Sequence, residues 1–201
     1  AGTDPWKFIR SIRFKNFKGA ARTIRNNNIL GASCAEICPR ERLCEKACSR
    51  CGIDRPIQIG RLQAFAMDQE KIFKMKTLEA AASNGKKVLC IGAGPSSLSV
   101  AAELAKMGCD VTIVDENEKA GGLLRYGITP SRLSDEVIDQ DIDAVKSLGV
   151  KFEMNKRIEK KDLAGVSSQY DAVFVGIGLS ASKMIPNLAG SALKGCTTAL
   201  A

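Results

Sequence analysis

The sequence predicts an α/β chain: a small all-helical region over 1–76, a connector at 77–86, and a parallel-sheet βαβ domain over 87–201. Three observations carry this reading. Apolar residues recur at helical spacing before residue 76, continuous apolar runs of the central-strand kind begin only after Lys87, and five of the eight cysteines are packed into the 18 residues from Cys34 to Cys51. At 201 residues, 45% hydrophobic and 26% charged, the composition is that of a folded globular chain, which excludes collagenous, disordered and coiled-coil classes.

Asp4 before Pro5 marks a helix start, because proline fixes the helical φ and the carboxylate can accept from the first turn. Phe8, Ile9 and Ile12 then share one face. Asn16 can cap a second helix with Phe17, Ala20, Ala21 and Ile24 inward, and the run Asn26-Asn27-Asn28 ends it. In the cysteine segment, a helix over 42–50 would put Cys44 and Cys48 on one face. Asp54-Arg55-Pro56 makes a turn, and a helix from about Gln58 places Leu62, Phe65 and Ala66 together. Residues 71–86, rich in lysine and closing on Ala-Ser-Asn-Gly, read as exposed.

Val88 to Ile91 reads as a buried parallel strand, and Gly92-Ala93-Gly94-Pro95-Ser96-Ser97 opens a helix running through Met107 to Gly108. Val111 to Val114 is a second strand, ending at Asp115. Gly121-Gly122 starts a loop containing Thr129-Pro130. Ser134 can cap a helix whose Val137, Ile138, Ile142, Val145 and Leu148 keep the helical period up to Gly149. Val150 to Met154 and Ala172 to Val175 are the remaining strands, the latter followed by Gly176 and Gly178.

Composition narrows the chemistry. Histidine is absent, which removes Ser/His and Cys/His nucleophilic schemes, His-ligated zinc and imidazole acid/base catalysis. No catalytic proton-transfer residue is expected. No apolar run approaches the roughly 20 residues a spanning helix needs, and no basic-then-apolar leader opens the sequence, so a cytoplasmic chain without a membrane partner is expected. Residues 1–76 hold 16 Lys and Arg against 7 Asp and Glu, while the other 125 hold 14 against 15. Such a basic patch suits an anionic cofactor, an acidic partner or nucleic acid; with few interleaved aromatics, base stacking is disfavoured and no nucleic-acid partner is expected. A non-catalytic basic docking module is the alternative of another class.

The glycine motif is the firmest signal for a site. Gly92 permits a tight turn and Gly94 lets the backbone approach a pyrophosphate at the helix N-terminus, where unpaired N–H groups and the helix dipole favour negative charge. Asp115, 23 residues after Gly92 at the end of the next strand, is placed to accept from ribose hydroxyls. Strand, motif, helix, strand and acid in this order make a Rossmann-like dinucleotide site. Ser97 stands where Gly or Ala is usual, so a hydroxyl must fit where helix and strand pack closely. The spacing Cys34-x3-Cys38-Pro39-x5-Cys44-x3-Cys48 offers four thiolates for a four-iron cluster or zinc, and because no two of these four form a tight CxxC pair, zinc is disfavoured. Cys90, Cys109 and Cys196 look like ordinary small or buried residues.

Several longer stretches are specific: Thr-Asp-Pro-x-Lys-Phe-Ile-Arg-Ser-Ile from Thr3, Asn-Phe-Lys-Gly-Ala-Ala from Asn16, Ile-Cys-Pro with Leu-Cys over 37–44, Ile-Gly-Arg-Leu-Gln from Ile59, and Gly-Gly-Leu over 121–123. On these, the chain from Thr3 to about Gly178 resembles the N-terminal part of an NAD(P)H-dependent iron-sulfur flavoprotein family. That family includes the electron-input subunits of bacterial dihydropyrimidine dehydrogenase, the mammalian dihydropyrimidine dehydrogenase and the glutamate synthase small subunit. The resemblance implies a helical domain with two 4Fe-4S clusters followed by an FAD domain. It implies that Cys38, Cys44 and Gln63 ligate one cluster and Cys48 the other, with Cys34 not a ligand. By propensity alone Gln63 is a surface helix glutamine; glutamate synthase small subunits tend to carry glutamate there. The resemblance further implies that Ile37 contacts the flavin. Gly92, Ala93, Gly94, Pro95, Ser96 and Ser97, then Asp115, Glu116, Gly121, Gly122 and Leu123, and finally Arg132 and Ile158 match positions that contact FAD.

The implied function is electron input from NAD(P)H through FAD and 4Fe-4S clusters to a partner subunit or domain that reduces a pyrimidine, or, in the alternative, that makes glutamate. Two departures stand out. The family's Ile-Pro-x-Phe-Arg-Leu-Pro reads Ile128-Thr129-Pro130-Ser131-Arg132-Leu133-Ser134 here, which leaves the loop bearing Arg132 less stiff. The family's first cysteine run and its NAD(P)H domain have no counterpart in these residues, so the sequence reads as a truncated portion, expected to be inactive alone.

Overall fold

Asp4 starts the first helix, its carboxylate accepting from the Lys7 amide at 3.2 Å, and α1 runs Pro5–Arg13. Asn16 does the same for α2, Phe17–Asn27, accepting from Gly19 at 2.9 Å. These assignments come from a computed structural model that describes residues 2–179 together with 189, 193 and 194; Cys196 lies outside the described residues. A seven-residue α3, Gly31–Ile37, follows. The segment 42–50 departs from the expected helix: it is a 3-10 turn at Arg40–Arg42, consecutive turns through Ala47, and a second 3-10 turn at Ser49–Gly52. Helix α4 spans Ile59–Ile72 and closes the helical region.

Phe8, Ala20, Ala21, Ile24, Ala32, Ile59, Ala66 and Met67 form the core of that region. Each large member of this set contributes about 1.5–3 kcal/mol by burial. The inward face of α4 differs from the expected one. Ala66 is buried, but Phe65 is 39% exposed and meets Phe17 edge-on at 5.5 Å, whereas Gln63 and Glu70 are buried. Gln63 is therefore not a surface glutamine. The connector is not exposed throughout either: Thr77 and Leu78 are buried, and Leu78 joins the core of the following domain.

Four strands, β1 Lys87–Ile91, β2 Asp110–Val114, β3 Lys151–Glu153 and β4 Ala172–Val175, make one parallel sheet in the order β3-β2-β1-β4. Helix α5, Pro95–Lys106, connects β1 to β2; a four-residue α6, Leu123–Tyr126, and α7, Asp135–Lys146, lie between β2 and β3, and a short α8, Leu163–Ser167, precedes β4. Neither α3 nor the two short helices α6 and α8 were expected. Ser134 stands at the start of α7 with extended backbone, but its hydroxyl makes no capping bond. Leu98, Ala101, Ala102 and Ala105 of α5 and Ile138, Ile142 and Val145 of α7 pack on one face of β1 and β2. The chain leaves β1 toward β2 on one side and returns as β4 on the other, so the crevice at the carboxyl end of β1 is the topological switch point where such sheets bind ligands.

Candidate functional site

The carboxyl ends of the strands open onto a cleft of about 530 Å³. Of the expected residues, Gly92, Gly94, Pro95, Ser96, Asp115, Glu116, Gly122, Leu123 and Ile158 line it. Ala93, Ser97 and Gly121 are buried beside it. Ile37 packs against the core of the sheet domain, and Arg132 is exposed; neither lines the cleft.

Two glycine turns meet at its floor. Gly92 has φ +97, and a Cβ there would run into the Gly176 carbonyl, so only glycine fits. Gly122 has φ +53, and its Cβ would come within 2.8 Å of the Gly94 Cα, while the Gly121 amide donates to the Ala93 carbonyl at 2.9 Å. Gly94 is different. Nothing lies within 4 Å of a Cβ placed on it. That open space at the first residue before the twelve-residue α5 is a cradle that fits a pyrophosphate, with the free amides and dipole of the helix facing it.

Ser97 is fully buried, and its hydroxyl finds no hydrogen-bond partner. A side chain on Gly176 would collide with it. The close packing expected at this position is thus kept by Gly176 on the opposing strand end, at the cost of an unpaired hydroxyl.

Asp115 does more than wait for a ribose. One oxygen accepts from the Ala93 amide at 2.6 Å; the other accepts from the amide and the side chain of Asn117, both at 2.8 Å. A carboxylate has about four lone-pair sites, so room for a ribose hydroxyl remains, but the Ala93 amide is taken and is not a phosphate donor. The cleft also contains residues that the motif reading missed: Tyr126, Lys156, Arg157 and Gly176. Arg157 pairs with Glu116 at 2.5 Å and Lys156 with Glu153 at 2.7 Å. Only Gly176 carried a signal, directly after the end of β4; Lys156 and Arg157 lie three and four residues beyond β3, and Tyr126 ends the unexpected α6.

The five clustered cysteines, Cys34 to Cys51, lie in the helical region, while Cys90 and Cys109 lie in the sheet domain. Burial and the neighbouring Cys38 push the Cys34 thiol up, against a hydrogen bond from Gln63 that draws it down. Burial, Glu45 and Cys38 raise Cys44, while backbone hydrogen bonds from Ile57 and Arg50 lower Cys48 toward its thiolate form. Gln63 also donates to the Gly31 carbonyl at 2.7 Å. Among the described residues no three cysteine or carboxylate side chains converge as a ligand set. Cys38, Cys44 and Gln63, expected at one cluster, and Cys48, expected at the other, thus supply three donors and one, so neither four-ligand set is complete from these residues alone, whereas the cleft has the open space and glycine turns that a dinucleotide requires.

Residues 57–195 match the family described as pyridine nucleotide-disulphide oxidoreductase, and residues 1–75 match the one described as dihydropyrimidine dehydrogenase domain II, 4Fe-4S cluster. The NAD-dependent dihydropyrimidine dehydrogenase subunit PreT of Salmonella typhimurium is 45% identical over 187 residues, covering 92% of this chain and 45% of that protein. A PreT from Escherichia coli is 46% identical with the same coverage. The chain thus spans a little under half the length of the curated relatives it matches. Among solved structures, Mycobacterium tuberculosis FprA in complex with NADPH is 22% identical at a TM-score of 0.46, over 55% of this chain and 26% of that one.

Proposed function

This chain belongs to the pyridine nucleotide-disulphide oxidoreductase family, and from that premise we propose that it is the electron-input portion of a dihydropyrimidine dehydrogenase, taking electrons from NAD(P)H by way of FAD and 4Fe-4S clusters to a partner subunit. The observation that carries the reading is the open cradle at Gly94, with Gly122 packed on its Cα and Asp115 tied to the same turn. FAD bound there would supply the conversion of a two-electron hydride into single electrons.

The residues of this chain bind and orient. The amides at the start of α5 hold the pyrophosphate, Asp115 takes the ribose, and Leu123 and Ile158 give the cleft its apolar wall. Lys156 and Arg157 also line the cleft, but each is paired with a carboxylate, Glu153 and Glu116, so they add little net charge. Cys38, Cys44, Gln63 and Cys48 are half of the eight ligands that two four-ligand clusters require. The expected metal content follows: iron and sulfide well short of eight each in the 201-residue chain, measured by colorimetric assay, with values near eight refuting the ligand assignment.

Titration of FAD and of NAD into the purified protein tests the flavin reading. Gly121, Gly122 and Leu123 lie beyond Asp115, the acid that follows β2, where a plain NAD domain has no need of them, so FAD is expected to bind more tightly than NAD. Tighter binding of NAD would sink the assignment.

A further inference from the structure

The helical region and the sheet domain are joined by a buried charge cluster that neither the cleft nor the cysteine segment uses. Arg25 of α2 is fully buried, and its guanidinium bonds Glu70 of α4 at 2.6 Å and 3.0 Å, Asp141 of α7, and the Ile29 carbonyl. Thr77 donates to Glu70 at 2.6 Å, and Gln140 reaches from α7 to the Met67 carbonyl at 2.7 Å. Burial works against the Arg25 charge, but the two carboxylates outweigh it and its pKa stands above the ordinary value. Asp141 is also fully buried. Besides Arg25, its oxygens accept from the amides of Ala32 at 3.1 Å and Ser33 at 2.8 Å, in the first turn of α3.

These amides are the ones a helix start leaves unpaired, and α3 brings no side-chain cap of its own, because its N-cap residue is Leu30. At seven residues α3 is too short to hold together in isolation. Its start is therefore fixed by a carboxylate from the other domain. Its remaining turns carry Cys34 and Ile37, and Cys38 follows at its end. A buried ion cluster adds little net stability over apolar packing, but it enforces one geometry, since any slip leaves a bare charge in the interior.

We propose that Asp141 is a positioning residue that holds the cysteine-bearing helix α3 in register with the dinucleotide cleft, with Arg25 and Glu70 as its frame. The mechanical part stands without any cofactor. Its purpose, a fixed placement of Ile37 and Cys38 relative to a bound flavin, rests on the proposed function.

Native-state hydrogen exchange on the protein as isolated tests it. In Asp141→Asn the amides from Cys34 to Cys38 are expected to exchange roughly tenfold faster or more, while those of Leu89 and Val111 at the centre of the sheet keep their protection to within about a factor of three. Ser33→Pro removes the donor to one Asp141 oxygen and sets a ring carbon against that oxygen, so it drives the carboxylate off the start of α3 without changing any charge. It should show the same α3-selective opening. Unchanged α3 exchange in either folded variant overturns the proposal, as does acceleration spread equally over α3 and the sheet. If Asp141→Asn does not fold, Ser33→Pro decides. FAD titration separates the two readings: absence of FAD binding in the unsubstituted protein refutes the flavin reading alone, while α3-selective opening still supports the role of Asp141.

Discussion

Gly92 and Gly94 are two residues apart and differ in what they tolerate. At Gly92 a side chain meets both a positive φ and the Gly176 backbone. At Gly94 the backbone is extended, φ −81 and ψ 178, a conformation valine adopts readily, and the surrounding space is free. Gly94→Val is expected to keep its circular dichroism and melting temperature while losing dinucleotide affinity by about a hundredfold or more, since its side chain would occupy the phosphate's approach. Unchanged affinity would move the site elsewhere. Cys90 gives a second expectation. Burial pushes its thiol up to about 11. Because the folded value lies above the unfolded 9.0, the unfolded chain loses its proton first as pH rises, so this stabilisation is complete below pH 9 and gone above about 11. Iodoacetamide at pH 8 should leave Cys90 unmodified in the native protein and modify it in urea; native labelling would contradict its burial. The sequence made Gly92, Gly94 and Asp115 legible because each sits at a strand end with a local signature. That Asp115 would bind the Ala93 amide was not legible, because the contact depends on the register that sets Ile91 beside Val114.

The longer helices were readable where their start signals are local, whereas α3, whose cap is remote, was not, and neither were α6 and α8, too short at four and five residues to show a period. Asp4 and Asn16 cap α1 and α2 from three residues away, and both helices fall where the sequence puts them. Asn16→Ala should cost about 1 kcal/mol, read as a lower urea midpoint at unchanged slope. Gly19 packs directly on the Asn16 side chain, a Cβ there lying 2.5 Å from its Nδ2, so Gly19→Ala should also lower the midpoint, by disturbing the same cap. A gain in stability from the better helix former would argue against this. Helix α3 has no such signal. Its cap comes from Asp141, more than a hundred residues along the chain, and Gly31-Ala32-Ser33 offers nothing before it that a propensity reading can use. The buried side of α4 was misread for a related reason. Glu70 is inward because Arg25 is, and Gln63 because the Gly31 carbonyl is there to accept from it. Polar residues can be assigned to an interior only when their partners are known.

Across the whole molecule, the helical core and the core on the α5 and α7 face of the sheet are coupled by two kinds of contact, and their magnitudes set what a single substitution does. Ile29 and Leu30 come from the helical region but are buried in the core of the sheet domain, where each contributes about 1.5–3 kcal/mol. These two residues thus supply of order 3–6 kcal/mol of apolar coupling, to which Ile37 and Val137, packed between the regions, add. The charged coupling runs through Arg25, among the described residues the one cation paired with Glu70 and Asp141. Replacing it with an apolar side chain strands two carboxylates in the interior, and breaking a buried pair in this way costs about 3–5 kcal/mol. The loss is comparable to what Ile29 and Leu30 together supply. Arg25→Met should therefore do more than lower stability: it should uncouple the regions. Scanning calorimetry is expected to give one endotherm for the unsubstituted protein and two for Arg25→Met, the earlier one accompanied by exchange of the Ala20, Ala21 and Ile24 amides while Leu89 and Val111 stay protected. A single endotherm shifted to lower temperature would mean that Ile29 and Leu30, not the ion cluster, join the two cores.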